Sequence, residues 1–306
     1  MLLLTATIFA SNHVAARLAF DHGTSVATAV VVRSITTVLV GLGLLLATRT
    51  SLRLPLGTLQ RAAAIGLLLS VQSYCLYAAV ARLPVALALL TFNLFPILLA
   101  AITWGLGGQR PGRRTLIAMP VILVGLGLAL NVLGVGNAAP GAVPDGFATR
   151  WAAMSAGVAF AVAAATSFAV SLYLTSRWMG GVDGRVRAVL MMATVGLVVL
   201  VAGVSAGALG PGVSGVPGSV FSLPRDLVGW LGLLLLSLLY TIAFTTLFSL
   251  LPRVSAVNSA PILNFEPIAA MVLGSLVLGQ TVLPIQVAGA LLVVGAIVYL
   301  TTGRQG

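Results

Sequence analysis

Glu266 is the only glutamate in the chain, and it stands inside the apolar run NSAPILNFEPIAAMVLGSLVLGQ, residues 258–280. Arg33 lies in a second apolar run and His13 in a third. A carboxyl, a guanidinium and an imidazole in such surroundings support a narrow range of chemistry. The carboxyl can take up and release a proton, because desolvation raises a carboxyl pKa and a cationic neighbour lowers it. It can also pair with an amine. The guanidinium stays charged and binds anionic groups or carbonyls. Each residue has a structural reading beside the functional one. Glu266 could be a carboxyl tied to neighbouring helices beside a proline kink, Arg33 an ion pair or carbonyl clamp, and His13 a satisfied core histidine. Spacing alone does not bring the three together.

Further polar residues lie in the same kind of surroundings. Asn93 and Asn264 each sit three residues before a proline, Pro96 and Pro267. Both prolines are expected to kink their helices, since proline lacks an N–H and crowds the carbonyl four residues back, Leu263 in the case of Pro267. The asparagines are candidates for substrate contact or for interhelical hydrogen bonds. Gln72, Tyr74, Tyr77 and Tyr240 are candidate lining residues, with bundle packing as the plainer account. There is one cysteine, Cys75, and there are two histidines, His13 and His22. That supply offers no metal cluster, and the sequence shows no paired carboxylates and no phosphate-binding GxxxxGK[ST] motif. No cofactor or metal is expected, and an enzyme is not.

These residues must be positioned by membrane-spanning helices. Of 306 residues, 59% are hydrophobic and 7% are charged. A soluble chain of this length needs a charged surface. Apolar runs of bilayer length recur throughout and predict ten helical spans. They fall at roughly 2–20, 25–47, 61–81, 84–106, 114–134, 151–174, 187–208, 227–250, 254–278 and 284–302. The first 20 residues lack a basic leading region, so they read as a span and not a cleaved leader. Residues 135–150 and the Gly/Pro/Ser-rich 209–225 read as flexible connections.

The net charge of +11 comes entirely from arginines clustered between spans. That is a topology signal and not a nucleic-acid stripe. With the N-terminus inside, Arg49, Arg53, Arg61, Arg110, Arg113, Arg114, Arg177, Arg185, Arg187, Arg253 and Arg304 fall inside. Only Arg17, Arg82, Arg150 and Arg225 fall outside, a bias of 11 to 4 that predicts a multi-pass cell-membrane protein with both termini cytoplasmic.

The chain also repeats itself. RLPVALALLTFNLFPILLAAITWGLGGQ, residues 82–109, aligns without a gap to RVSAVNSAPILNFEPIAAMVLGSLVLGQ, residues 253–280. The matches are Arg82, Asn93, Pro96, Ile97, Gly108 and Gln109 with Arg253, Asn264, Pro267, Ile268, Gly279 and Gln280. Two halves follow, residues 1–134 and 151–306, joined by 135–150. Five spans per half is an odd number, so the second half enters the membrane from the opposite side. This 5+5 inverted repeat is an architecture of secondary transporters, with the site near the midplane between halves.

The ten spans, the duplicated proline of spans 4 and 9, FASNHVAARLA in span 1 and an arginine in span 2 resemble the EamA-type transporters of the drug/metabolite transporter superfamily. Of the family's two EP pairs only Glu266–Pro267 is present; Phe95 stands at the other glutamate. Gln109 and Gln280 replace the acids of its GE ends, and Ala10 a first-span glycine. The resemblance implies export or exchange of small metabolites, with spans 1–4 and 6–9 around a central cavity and spans 5 and 10 peripheral.

The residues and the resemblance together point to a secondary transporter working by alternating access. Glu266 would meet an amine or a proton and Arg33 a carboxylate, which favours amino acids or related zwitterions. The alternative is an exporter or flippase of lipophilic or cationic compounds, and a membrane-embedded lipid-modifying enzyme is more distant. The expected partners are a small-molecule substrate and the lipid bilayer, with no nucleic acid; a homodimer is compatible with the sequence.

Overall fold

A computed structural model describes residues 2–50, 54–107, 113–129, 147–209, 220–250 and 266–302. Among these residues all regular structure is helical. The helices are α1 (Leu2–Asp21), α2 (Val26–Ala47), α3 (Leu56–Val80), α4 (Val85–Phe92), α5 (Phe95–Gly105), α6 (Arg113–Ala129), α7 (Phe147–Trp178), α8 (Gly184–Leu209), α9 (Leu227–Leu250), α10 (Glu266–Leu278) and α11 (Pro284–Thr302). A helix occupies each of the ten segments expected, with α4 and α5 sharing the fourth.

Among the described residues, six stretches are long and apolar enough to cross a membrane: Val26–Ala47, Leu56–Val80, Val85–Gly105, Met154–Trp178, Gly184–Ala208 and Leu227–Thr246. Pro120–Ala129, Glu266–Leu278 and Pro284–Ala296 are shorter apolar stretches. In hydrocarbon, helices satisfy their own backbone groups, which is why apolar runs of this length take that form. Their outward faces are apolar too: Leu197, Val201 and Val204 on α8, and Leu234, Leu238 and Ile242 on α9, are all exposed.

Chemistry at the helix ends sets the boundaries. Ser25 caps α2, its hydroxyl accepting from the Thr28 N–H at 3.2 Å. Prolines open α3, α4 and α11 at Pro55, Pro84 and Pro284. The Arg17 guanidinium donates to the carbonyls of Val80 (3.1 Å) and Leu83 (3.2 Å), tying the end of α1 to the α3–α4 turn.

Two expected boundaries are corrected. Span 6 starts at Phe147, inside the segment read as linker 135–150, because FATRW continues the helix without a breaker. Of the segment 209–225 read as a flexible connection, Leu209 is helical, and Ser222 and Arg225 are tied by hydrogen bonds to the α1–α2 turn. The expected kink at Pro96 takes the form of a break: α4 ends at Phe92, and α5 restarts at Phe95 with Pro96 in its first turn. Pro267 lies in the first turn of α10 as described; Leu263 and the start of span 9 lie outside the described residues.

The helices pack in a recurring pattern. α1 packs on α9 and α10, and α7 packs on α3 and on α4–α5. α2 packs on α8 and α9, and α3 on α8. α4 meets α10, and α6 meets α11. Numbered as spans, each pairing becomes either another pairing in the set or itself when every span is exchanged with the one five places on. A hydrogen bond follows the same exchange: the Asn12 amide in span 1 donates to the Leu236 carbonyl in span 8 (2.6 Å), and the Ser167 hydroxyl in span 6 donates to the Leu68 carbonyl in span 3 (2.7 Å). Spans 5 and 10 pack chiefly on each other, where Gly289 lies against Gly125 and Ala129 so closely that a side chain there would meet backbone.

Candidate functional site

His13 and Glu266, 253 positions apart in the sequence, meet where α1 packs on α10. His13 Nε2 lies 3.3 Å from Glu266 Oε1. The imidazole is almost wholly buried, with its side chain 6% exposed; the carboxyl is 26% exposed. His13 Nδ1 is buried without a hydrogen-bond partner. The ring also stands edge-on to Tyr77 at 5.7 Å.

Tyr77 links this pair to Arg33. Its hydroxyl donates to Asn12 Oδ1 at 3.2 Å, and its ring lies 4.8 Å from the Arg33 guanidinium carbon. On the other side of Arg33 the Tyr240 ring stands 3.9 Å away. Arg33 is 3% exposed and donates through Nη2 to the Ser73 hydroxyl at 2.9 Å, while its Nε is buried without a partner. Ser73 in turn donates to Gln72 Oε1 at 3.3 Å. Guanidinium faces stack well on aromatic rings, which is how an arginine can be buried among tyrosines. The ion pair expected as one structural role for Arg33 is absent among the described residues: His13 is the partner of Glu266, and Arg33 has none of the carboxylates.

The structure therefore brings Glu266, His13, Tyr77, Arg33, Tyr240 and Gln72 into one chain of contacts across α10, α1, α3, α2 and α9. Tyr74 is half-buried on α3. Asn93 does not join the cluster through its amide, which donates to the Leu89 carbonyl at 3.0 Å and caps the break in span 4. Asn264 lies outside the described residues.

Sequence reasoning missed Asn12 and Ser73, neighbours of His13 and Gln72 whose small polar side chains join the network. It also missed a phenyl cluster at the span 4 break. Phe95 stands 5.5 Å from Phe92 and 5.0 Å from Phe168, and Phe92 is 5.4 Å from Phe168. Phe95 is the residue aligned with Glu266 in the internal repeat, which is the one signal that marked its position.

In chemical terms the cluster holds one carboxyl that shares contact with a neutralisable base, and one permanent cation flanked by aromatic faces. Such a site can bind and release a proton and can accept an anionic group.

The comparisons agree with this architecture. The model of the EamA-like transporter family matches residues 1–131 and again residues 155–302. No curated protein matches the chain significantly. A solved structure described only as "Crystal structure of protein" has a TM-score of 0.62 at 20% identity, over 98% of this chain and 95% of that one. At that identity the likeness speaks to fold alone.

Proposed function

The chain belongs to the EamA-like transporter family and is a multi-pass membrane transporter, and from that premise we propose that it carries amino acids or related zwitterions by alternating access. The observation that carries this reading is the separation of charge inside an apolar bundle. Glu266 and His13 form one pole. Arg33, unpaired with any carboxylate among the described residues, forms the other. A buried cation without a counter-charge is costly, and the carboxylate of a zwitterion would supply one, with its amine toward Glu266.

In this reading Gln72, Tyr74, Tyr77 and Tyr240 line the path, and Asn93 and Asn264 mark the paired breaks of spans 4 and 9. Glu266 takes up a proton when no amine is present, with His13 beside it as the group that shares that proton. Coupling to a proton gradient follows from that exchange.

Residues 1–134 and 151–306 are proposed as the two moving halves, related by a two-fold axis in the membrane plane. The twofold family match, the five-place exchange of helix pairings and the paired Asn12 and Ser167 hydrogen bonds support this. The arginine bias supports a cell-membrane location with both termini in the cytoplasm.

A second reading, export or flipping of lipophilic cations, is favoured by the phenyl cluster of Phe92, Phe95 and Phe168 and by the stack of Tyr240 on Phe244 at 5.5 Å. Counterflow in proteoliposomes separates the two. Vesicles preloaded with a mixture of unlabelled amino acids should accumulate labelled ones. Accumulation of a lipophilic cation but of no amino acid would replace the first reading with the second.

A further inference from the structure

The turn between α1 and α2 and the segment before α9 are 204 residues apart in the chain, yet they are joined side chain to backbone and side chain to side chain. His22 Nδ1 meets Asp226 Oδ2 at 2.6 Å. The Ser222 hydroxyl donates to the Gly23 carbonyl at 2.7 Å. The Thr28 hydroxyl donates to the Ser222 carbonyl at 2.9 Å, and the Ser25 hydroxyl accepts from the Ser222 N–H at 3.1 Å. Two backbone bonds complete the set, Ser25 N–H to the Ser222 carbonyl and Arg225 N–H to the His22 carbonyl. Gly23 has a φ of +95°, and its open face is covered by the Arg225 side chain.

Directly below lies the polar cluster. Phe20, two residues before His22, stands edge-on to Tyr77 at 5.7 Å, and Tyr77 touches both His13 and Arg33. At the other end of the same helices the contacts are of a different kind. A crevice there is lined by Thr37, Gly41, Leu44, Arg185, Val189 and Phe244.

We infer that the clasp between residues 22–28 and 222–226 is the gate of the bundle at the His22 end. It holds α1 and α2 of the first half against the entry to α9 of the second, with Phe20 as the plug beneath it. This rests on the alternating-access reading: if the halves rock, this set of bonds must part for a solute to pass that end. Its composition suits a gate. The bonds are polar and small, and those of His22 with Asp226 and of Ser222 with Gly23 are exposed, so water replaces them on opening, whereas an apolar seal would expose its surface.

Two experiments test it, both on the full chain. The first needs no substrate. With Cys75→Ala removing the native thiol and Ser73→Cys, in the polar cluster beneath the plug, as reporter, the rate of modification by a polar, membrane-impermeant thiol reagent is measured in detergent. Asp226→Asn, which keeps a helix cap but loses the anionic partner, combined with Ser222→Ala should raise that rate roughly tenfold, as expected for losing two ordinary hydrogen bonds. An unchanged rate overturns the gate.

In the second, His22→Cys and Asp226→Cys are bridged by a short, reducible bifunctional thiol reagent, and uptake of labelled amino acids into proteoliposomes is followed. Bridging should stop uptake and reduction should restore it. Full uptake by the bridged protein overturns the gate. A chain that moves no amino acid even when unbridged contradicts the transport reading, and the labelling rates still decide the gate.

Discussion

Arg33 holds its charge against two aromatic faces and one hydroxyl. A lysine would keep the charge but lose the flat guanidinium that spans Tyr77 and Tyr240. Arg33→Lys is expected to cost about 1–2 kcal/mol of stability, seen as a lower midpoint of thermal unfolding in detergent; an equal midpoint would mean the rings contribute nothing. Asp226 offers a different test at the same scale. The Gly229 N–H first, and then His22, hold its carboxyl below the ordinary aspartate value. A carboxyl whose folded pKa is depressed contributes its stabilisation above the unfolded value and loses it as pH falls through the folded one. Lowering the pH from 7 to 5 should therefore leave most of the Asp226 contribution to the clasp intact, and loss should set in as the pH falls through the ordinary aspartate value and be complete below the depressed folded one. Comparing wild type with Asp226→Asn across that range checks it: the gap in thermal midpoint should hold at pH 5 and close below. Residue identities were legible in the sequence because a lone Glu, a lone Arg and a His in apolar runs are conspicuous. Their partners were not. His13 finds Glu266 and His22 finds Asp226 across most of the chain, and no local pattern encodes a contact between segments so far apart.

Helices were the most readable elements, since hydropathy and length fix them with little help from tertiary context. The errors fell where a segment's fate depends on what it docks against. The Gly/Pro/Ser composition of 209–225 suggested a free loop, yet Ser222 and Arg225 find partners on the α1–α2 turn that the local sequence cannot announce. FATRW carries no helix breaker, and α7 extends back through it. Close approach between spans 5 and 10 depends on glycine. Gly289→Leu would force a branched side chain into the backbone of α6 at Gly125 and Ala129. Such overpacking costs about 1–3 kcal/mol. Since this pair stands apart from the polar cluster, the thermal midpoint should fall while amino-acid exchange at permissive temperature persists. Loss of exchange in a protein of unaltered midpoint would contradict a merely supporting role for this pair.

At the scale of the whole molecule, the repeat was visible as one aligned pair of segments, spans 4 and 9. For the remaining spans no second ungapped pair of segments stands out in the sequence, and packing shows the pattern: span 1 on 8 against span 6 on 3, span 2 on 7, span 5 on 10. Matched positions differ in chemistry, with Glu266 of the second half beside His13 of the first, and Phe95 of the first half beside Phe168 of the second. On the proposed reading, a single acidic pole between the two halves supplies one proton site per cycle. The most direct test is flux of labelled amino acids in proteoliposomes with and without an imposed proton gradient, comparing wild type with Glu266→Gln, which keeps shape and removes titration. The account predicts that the gradient drives accumulation in wild type, that Glu266→Gln loses gradient-driven accumulation, and that exchange without a gradient survives. Undiminished and equally gradient-sensitive transport by Glu266→Gln would contradict it and leave Glu266 as a structural partner of His13.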